Sequence, residues 1–264
     1  MIAVGSADVV AERHAAILAI ARHTGSVTVD SLAETLSVTP QTIRKDLNLL
    51  ARRSMLARVH GGAVVTSGID NLAYDERRTV AAAAKASIGA AAAALVPNGA
   101  SLFINIGSTT EAIARHLTDH RDLMVITNNL NVVDILRGHP TIEVIVAGGR
   151  VRAGDRAIVG ALAMDCIRAF KVDFALIGAS AIEPDGSFLD FDLDEVRVSQ
   201  TIIRQARQVL LALDCSKLDR PAPVRIGGMA DIDFLVTDRA DPRLAGACRD
   251  AGVALVETLH GGLR

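Results

Sequence analysis

From Ser101 to Glu257 the chain repeats one pattern: a short, nearly continuous apolar run followed by a stretch with apolar residues at helical spacing. The runs at Ser101–Ile106, Met124–Thr127, Glu143–Val146, Val172–Ile177, Val209–Leu213, Phe234–Thr237 and Ala254–Glu257 read as strands. The intervening stretches Thr110–Leu117, Val132–Arg137, Ala161–Ala169, Glu195–Ala206 and Pro242–Ala251 read as helices. Strands apolar on both faces and joined by helices predict a mostly parallel, doubly wound α/β sheet. An alanine-rich helix over Asp75–Leu95, stopped by Pro97-Asn98-Gly99, should precede it. With 264 residues, half of them hydrophobic, the chain has ample material for such a core.

The first sixty residues follow a different plan. Ala15, Ile17, Leu18 and Ala21 recur at helical spacing up to Gly25. Val27 and Val29 alternate as in a very short strand, and Asp30 or Ser31 is placed to cap a second helix bearing Leu32, Ala33 and Leu36. After the turn Ser37-Val38-Thr39, Pro40 suits the first position of a third helix, Pro40–Arg53, with Ile43, Leu47 and Leu50 inward. Its opposite face carries Gln41, Thr42, Arg44, Lys45 and Asn48, the short polar and cationic groups a major-groove reader needs. Alternation through Leu56–Val64 around Gly61-Gly62 reads as a two-stranded wing. This is the plan of a winged helix-turn-helix. Residues 9–66 are expected to form that module, and 67–264 the α/β domain.

Charge agrees with that division. Residues 11–66 hold seven Lys/Arg against four acids, whereas 67–264 carry a small acidic excess within a chain of net charge −2. The contacts expected on double-stranded DNA are Thr39, Gln41, Thr42, Arg44, Lys45 and Asn48 on the third helix, with Arg58 and His60 on the wing. Any one of them alone would be an ordinary solvated side chain.

In open parallel sheets, ligands sit beyond the carboxyl ends of the strands. Those ends are Gly107-Ser108-Thr109-Thr110, Asn128-Asn129, Gly148-Gly149-Arg150, Gly178-Ala179-Ser180 and Asp214-Cys215-Ser216-Lys217. Glycine, hydroxyls and backbone N–H groups at a helix start form an anion cradle. Lys217 would add a point charge. The expected effector contacts are Gly107, Ser108, Thr109 and Thr110 with Lys217 on phosphate, and Asn128, Asn129, Gly149, Arg150, Asp194 and Glu195 on hydroxyls. The ligand suited to them is a small phosphorylated sugar or polyol. Neither the nucleotide-hydrolase phosphate loop nor the dinucleotide fingerprint is present.

Other classes are disfavoured. Aromatic residues make up 3% and Trp is absent, which argues against stacking platforms for single strands. Cys166, Cys215 and Cys248 are far apart, and His14, His23 and His60 are scattered, so neither a disulfide framework nor a metal site is expected. The start MIAVGSADVV does not read as a signal peptide, and Ala81–Val96 reads as a soluble helix, not a membrane span. A reducing cytoplasm is the expected location, and no cofactor is called for.

The stretch SLAETLSVTPQTIRKDLNLLARRSMLARVHGGAVV resembles the N-terminal domain of DeoR-type bacterial repressors. The resemblance rests on Thr42-Ile43-Arg44-Lys45-Asp46-Leu47 and on Arg58-Val59-His60-Gly61-Gly62-Ala63. Lys45 replaces a usual Arg, which removes a bidentate guanine contact, and Ser54 replaces a common Gly. IGSTTEAIA, VITNNLNVV, AGGRVR, GASAIEPDGSFLDFDLDEVRV and LDCSK extend the likeness over Asp75–Asp238. Phe191, Asp192, Glu195, Val196 and Arg197, with the Thr-Asn-Asn-Leu segment, resemble the glycerol-3-phosphate repressor branch most. The resemblance implies an effector domain similar to the ribose-phosphate isomerase fold, in which effector occupancy switches DNA affinity.

The reading that follows is a sequence-specific, effector-controlled repressor of a carbohydrate or polyol operon, acting as a dimer or tetramer because paired modules read paired half-sites. Its rivals are an isomerase-like enzyme, for which Asp190, Asp192, Asp194 and Glu195 offer a base, and an effector-independent DNA-binding protein. Asp194 is placed to cap the helix from Glu195, and a fused DNA module explains the pocket without catalysis.

Overall fold

The structure is a computed structural model that describes residues 26–52, 57–59, 62–64 and 81–258, together with 10, 13, 14, 16–18, 20, 21 and 79. Of residues 26, 52, 57–59, 63 and 64 it describes the backbone alone. The chain divides into two compact units, one ending at Leu72 and the other beginning at Ala73.

In the first unit the described residues of 10–21 are helical, and Ile17, Leu18 and Ala21 are buried against the next two helices. Strand β1 (Ser26–Thr28) leads directly into α1 (Val29–Thr35). The cap of α1 is Thr28, whose Oγ1 accepts from Ser31 N at 3.2 Å. Asp30 and Ser31, the expected caps, lie inside the helix, and Val29 is its first residue and not part of the strand. The turn to α2 (Pro40–Arg52) puts Ser37 at φ 53, and Val38 N returns to Ala33 O at 3.1 Å. Strands β2 (Ala57–Val59) and β3 (Gly62–Val64) complete an antiparallel sheet in the order β1-β3-β2. At Gly62 a Cβ would meet the Val27 carbonyl oxygen at 2.1 Å, so only glycine lets the wing pair with β1. The core joins Val27, Val29, Leu32, Ile43, Leu47 and Leu50.

The second unit opens with α3 (Ala82–Ala94), shorter than the helix expected from Asp75; residues 75–78 and 80 lie outside those described. A seven-stranded parallel sheet follows, comprising β4 (Ser101–Ile104), β5 (Leu123–Thr127), β6 (Ile142–Val146), β9 (Val172–Ile177), β12 (Ala206–Ala212), β14 (Phe234–Thr237) and β15 (Ala254–Glu257). Its order is β15-β14-β12-β9-β4-β5-β6, every neighbouring pair being parallel. The chain builds outward from β4 through β6, returns to β9, and builds the other way. The order therefore reverses between β4 and β9, where a crevice opens at the carboxyl edge.

Alternation along β4 shows why Leu102, Phe103 and Ile104 are all apolar. Phe103 enters one core with Ile177, Val196 and Leu211, while Leu102 and Ile104 enter the other with Ile88, Ile113 and Leu176. Burial on both faces needs helices on both: α3, α4 (Ser108–His116) and α5 (Leu130–Leu136) contribute to the second core, and α6 (Ala161–Arg168), α7 (Leu193–Arg204) and α8 (Pro242–Ala251) to the first. A hairpin of β7 (Arg150–Arg152) and β8 (Ala157–Val159) and a small antiparallel sheet of β10 (Ala181–Ile182), β11 (Phe188–Asp190) and β13 (Val224–Gly227) flank the carboxyl edge.

Candidate functional site

Helix α2 separates its residues sharply. Gln41, Arg44, Lys45 and Asn48 are exposed, Thr42 is half-buried, and Ile43, Leu47 and Leu50 are sealed in the core. Thr39 is exposed; its Oγ1 accepts from Thr42 N at 3.2 Å and lies 2.9 Å from Thr42 Oγ1, so it also caps the helix. Arg58 is described through its backbone alone, in β2, and His60 lies outside the described residues.

Asp46 is the polar member of the buried face, 5% exposed. Arg13 donates to it through Nε at 2.7 Å and through a terminal nitrogen at 3.1 Å, and His14 Nε2 lies 3.0 Å away. Burial alone pushes the Asp46 carboxyl up, but the bonds from Arg13 and His14 outweigh it and hold it below the usual carboxylate range. The same bond holds the Arg13 guanidinium above its ordinary value. These bonds clamp α2 to the helical residues of 10–21, upstream of α1 in the chain, and so hold the orientation of its exposed face.

In the second unit a cleft lies where the strand order reverses. The loops after β4 and β9 line it with Gly107, Ser108, Thr109, Gly178 and Ser180, and Asp190, Glu195 and Lys217 complete it. Helix α4 begins at Ser108 with no side-chain cap, leaving its first-turn N–H groups for another acceptor. Lys217 ends a 3-10 turn fixed by Asp214, whose Oδ1 accepts from Ser216 N at 3.1 Å. The structure thus brings Gly107, Ser108, Thr109, Glu195 and Lys217 together from three separate segments.

Other expected contacts serve the frame. Thr110 is fully buried, with its hydroxyl directed to the Asn105 and Gly107 carbonyls at 2.8 Å each. Asn128 Nδ2 donates to Ile158 O at 3.0 Å, pinning β8, and its buried Oδ1 has no partner among the described residues. Asn129 caps α5 by accepting from Asn131 N at 2.9 Å, and its Nδ2 reaches Glu111 Oε1 at 3.3 Å. Gly149 has φ 145, and a Cβ there would strike Ile158 Cγ2 at 2.9 Å, so it lets the hairpin fold back. Arg150 is 74% exposed and pairs with Asp194 at 3.1 Å on the surface, outside the cleft. The cap of α7 is Asp192, which accepts from Glu195 N at 2.9 Å; Asp194 is the second residue of the helix, inside its first turn.

Arg152 is the functional residue that sequence reasoning passed over. Its Nε donates to Asp155 at 2.9 Å, and its terminal nitrogens reach Asp155 at 2.5 Å, Asp192 at 2.9 Å and Glu195 at 2.6 Å. Burial by itself lowers the guanidinium pKa, yet the bonds to Asp155 and Glu195 raise it well above its ordinary value. Arg152 therefore holds Glu195 in place at the cleft wall. Its one sequence signal was a β-period: Arg150 and Arg152 share a face of a three-residue strand. Among the described residues no group of three His, Cys, Asp or Glu side chains could hold a metal ion, and no helix is long and apolar enough to cross a membrane.

Comparison with known proteins matches both units. Residues 13–68 fit the DeoR-like helix-turn-helix domain and 80–239 the DeoR C terminal sensor domain. A glycerol-3-phosphate regulon repressor of Haemophilus influenzae is 42% identical over 85% of this chain and 88% of its own. Its namesake from Escherichia coli is 40% identical over 88% and 92%. The Escherichia coli repressor CsqR is 36% identical over 87% and 88%. Among solved structures, ribose 5-phosphate isomerase A from Methanocaldococcus jannaschii aligns with 53% of this chain and 56% of its own, at 16% identity and a TM-score of 0.40. With both its modules matched and relatives alike over most of their length, the chain belongs to the DeoR family of helix-turn-helix transcriptional repressors.

Proposed function

We propose that the cleft binds the phosphate of a small polyol or sugar phosphate, glycerol 3-phosphate or a close analogue, and that its occupancy changes the affinity of the first unit for operator DNA. The observation that carries this is the uncapped start of α4 sharing one cleft with Lys217 and two carboxylates. Ser108 and Thr109 supply N–H and hydroxyl donors to the phosphate, Lys217 its counter-charge, and Asp190 and Glu195 accept from hydroxyls. The names of the Haemophilus influenzae and Escherichia coli glycerol-3-phosphate regulon repressors support the three-carbon ligand. Arg44, Lys45, Gln41 and Asn48 are the base-reading set, and Arg58 and His60 the phosphate contacts. The repressor works as a homodimer or tetramer, because two half-sites a helical turn apart need two reading helices.

A thermal-shift screen tests the cleft. A ligand bound only by the folded state at a hundred times its dissociation constant adds about 2.7 kcal/mol. For a domain near 200 residues that is roughly 5–10 °C. Glycerol 3-phosphate or a near relative should give this shift and glycerol none; a screen in which no phosphorylated polyol shifts the melt refutes the proposal. Asp190 and Glu195 beside Lys217 also offer the carboxylate and ammonium that proton transfer on a sugar needs. Reading the same mixtures for turnover of pentose phosphates separates a sensor from an isomerase.

A further inference from the structure

We infer that Leu49 is a specificity-determining residue of the reading helix and recognises the C5-methyl group of a thymine in each half-site. The inference rests on the reading of α2 as the DNA-facing helix. Among the described residues of the first unit, Leu49 is the one large apolar side chain left exposed, at 38%. It takes no part in the core that absorbs Leu47 and Leu50 on either side of it in sequence. At 100° per residue Leu49 stands one turn beyond Lys45 and two beyond Thr42, on the flank of the face that carries Gln41, Lys45 and Asn48. Thr42 and Leu49 are about 10.5 Å apart along the axis, close to three base-pair steps of about 3.4 Å.

The chemistry selects one occupant for this position. Lysine and asparagine read polar base edges, and an isobutyl group has nothing to offer them. The one apolar group on the major-groove edge of a base pair is the thymine methyl. Contact with it removes both from water, whereas in free protein Leu49 stays wet.

The test uses a duplex enriched from random sequence by the full-length protein, in which each thymine is replaced in turn by deoxyuridine. Losing one buried methyl group costs about 0.8 kcal/mol, or about fourfold in affinity. Wild-type protein should lose about fourfold at one thymine per half-site. The Leu49→Ala protein should bind the thymine and deoxyuridine duplexes alike at that position, with an unchanged melting temperature. Leu49→Gln should behave as Leu49→Ala does. A wild-type scan insensitive at every thymine overturns the inference without any variant. So does a Leu49→Ala protein that keeps the sensitivity, or one that loses affinity equally for both duplexes, since that marks a packing role. Failure to enrich any sequence would instead sink the DNA-facing reading of α2, and Leu49 with it.

Discussion

Replacing Arg152 by methionine keeps the length of the side chain and removes the charge that three carboxylates share. Asp192 is 42% exposed, and its ion pair contributes no more than about 0.5 kcal/mol. Asp155 and Glu195 are at most 9% exposed and are left as buried carboxylates without their guanidinium. Breaking a fully buried pair costs about 3–5 kcal/mol, and the 28% exposure of Arg152 admits water that softens this, so a loss of about 3 kcal/mol is expected. In a unit of this size that lowers the melting temperature by roughly 6–12 °C. The pH dependence identifies the cause. Without Arg152 the two buried carboxyls lose the positive charge that faces them, and burial favours their neutral form. Protonation at low pH therefore relieves the loss, which is greatest where both are ionised. The gap between variant and wild type should be widest at pH 8 and narrow toward pH 5 in calorimetric melts. A gap independent of pH, or one below about 1 kcal/mol, would refute the account of Arg152 as the charge that holds Glu195 in place.

Arg44→Ala should weaken binding to an enriched duplex by about 1–3 kcal/mol and leave the melting temperature unchanged; equal affinity in a gel-shift titration removes Arg44 from the base-reading set. Asp46, held low by Arg13 and His14, contributes stability that is present above its unfolded value and lost as pH falls through about 4 and below. Asp46→Asn should therefore destabilise the first unit at pH 7 and abolish much of its acid sensitivity, followed by circular dichroism between pH 2 and 7. Gly62→Ala should unseat the wing from β1, because its methyl would overlap the Val27 carbonyl. Weakened binding to specific and random duplexes alike, measured by anisotropy, is the expected sign.

The inner sheet strands were legible because burial on both faces forces unbroken apolar runs, and Val172–Ile177 and Phe234–Thr237 match residue for residue, as does the more exposed edge strand Ala254–Glu257. Strands β7, β8, β10 and β11 were not, since elements of two or three residues are too short for any period to register, and in β13 Arg225 interrupts the apolar run. Caps were displaced upstream, from Asp30 or Ser31 to Thr28 and from Asp194 to Asp192, because several neighbouring residues of each loop can accept from an N–H and only backbone geometry selects one. The same ambiguity limits the site. Gly107, Ser108, Thr109 and Lys217 reach the cleft, whereas Thr110 and Asn129, identical in chemistry to good ligand groups, are consumed by the loops that position them. Arg152 eluded sequence reasoning because its partners Asp192 and Glu195 lie forty or more residues away.

Lys217 tests the central claim most directly, because it lies in the sensor cleft and the reading helix belongs to the other unit. Affinity for a fluorescent enriched duplex should be measured with and without saturating glycerol 3-phosphate, for wild type and for Lys217→Ala. The account predicts that the ligand changes wild-type affinity by roughly tenfold, as couplings of 1–3 kcal/mol do, and that glycerol does not. Lys217→Ala should bind the duplex as tightly as wild type and ignore the ligand. A variant that responds at the wild-type ligand concentration would contradict the placement of the phosphate beside Lys217 and the start of α4.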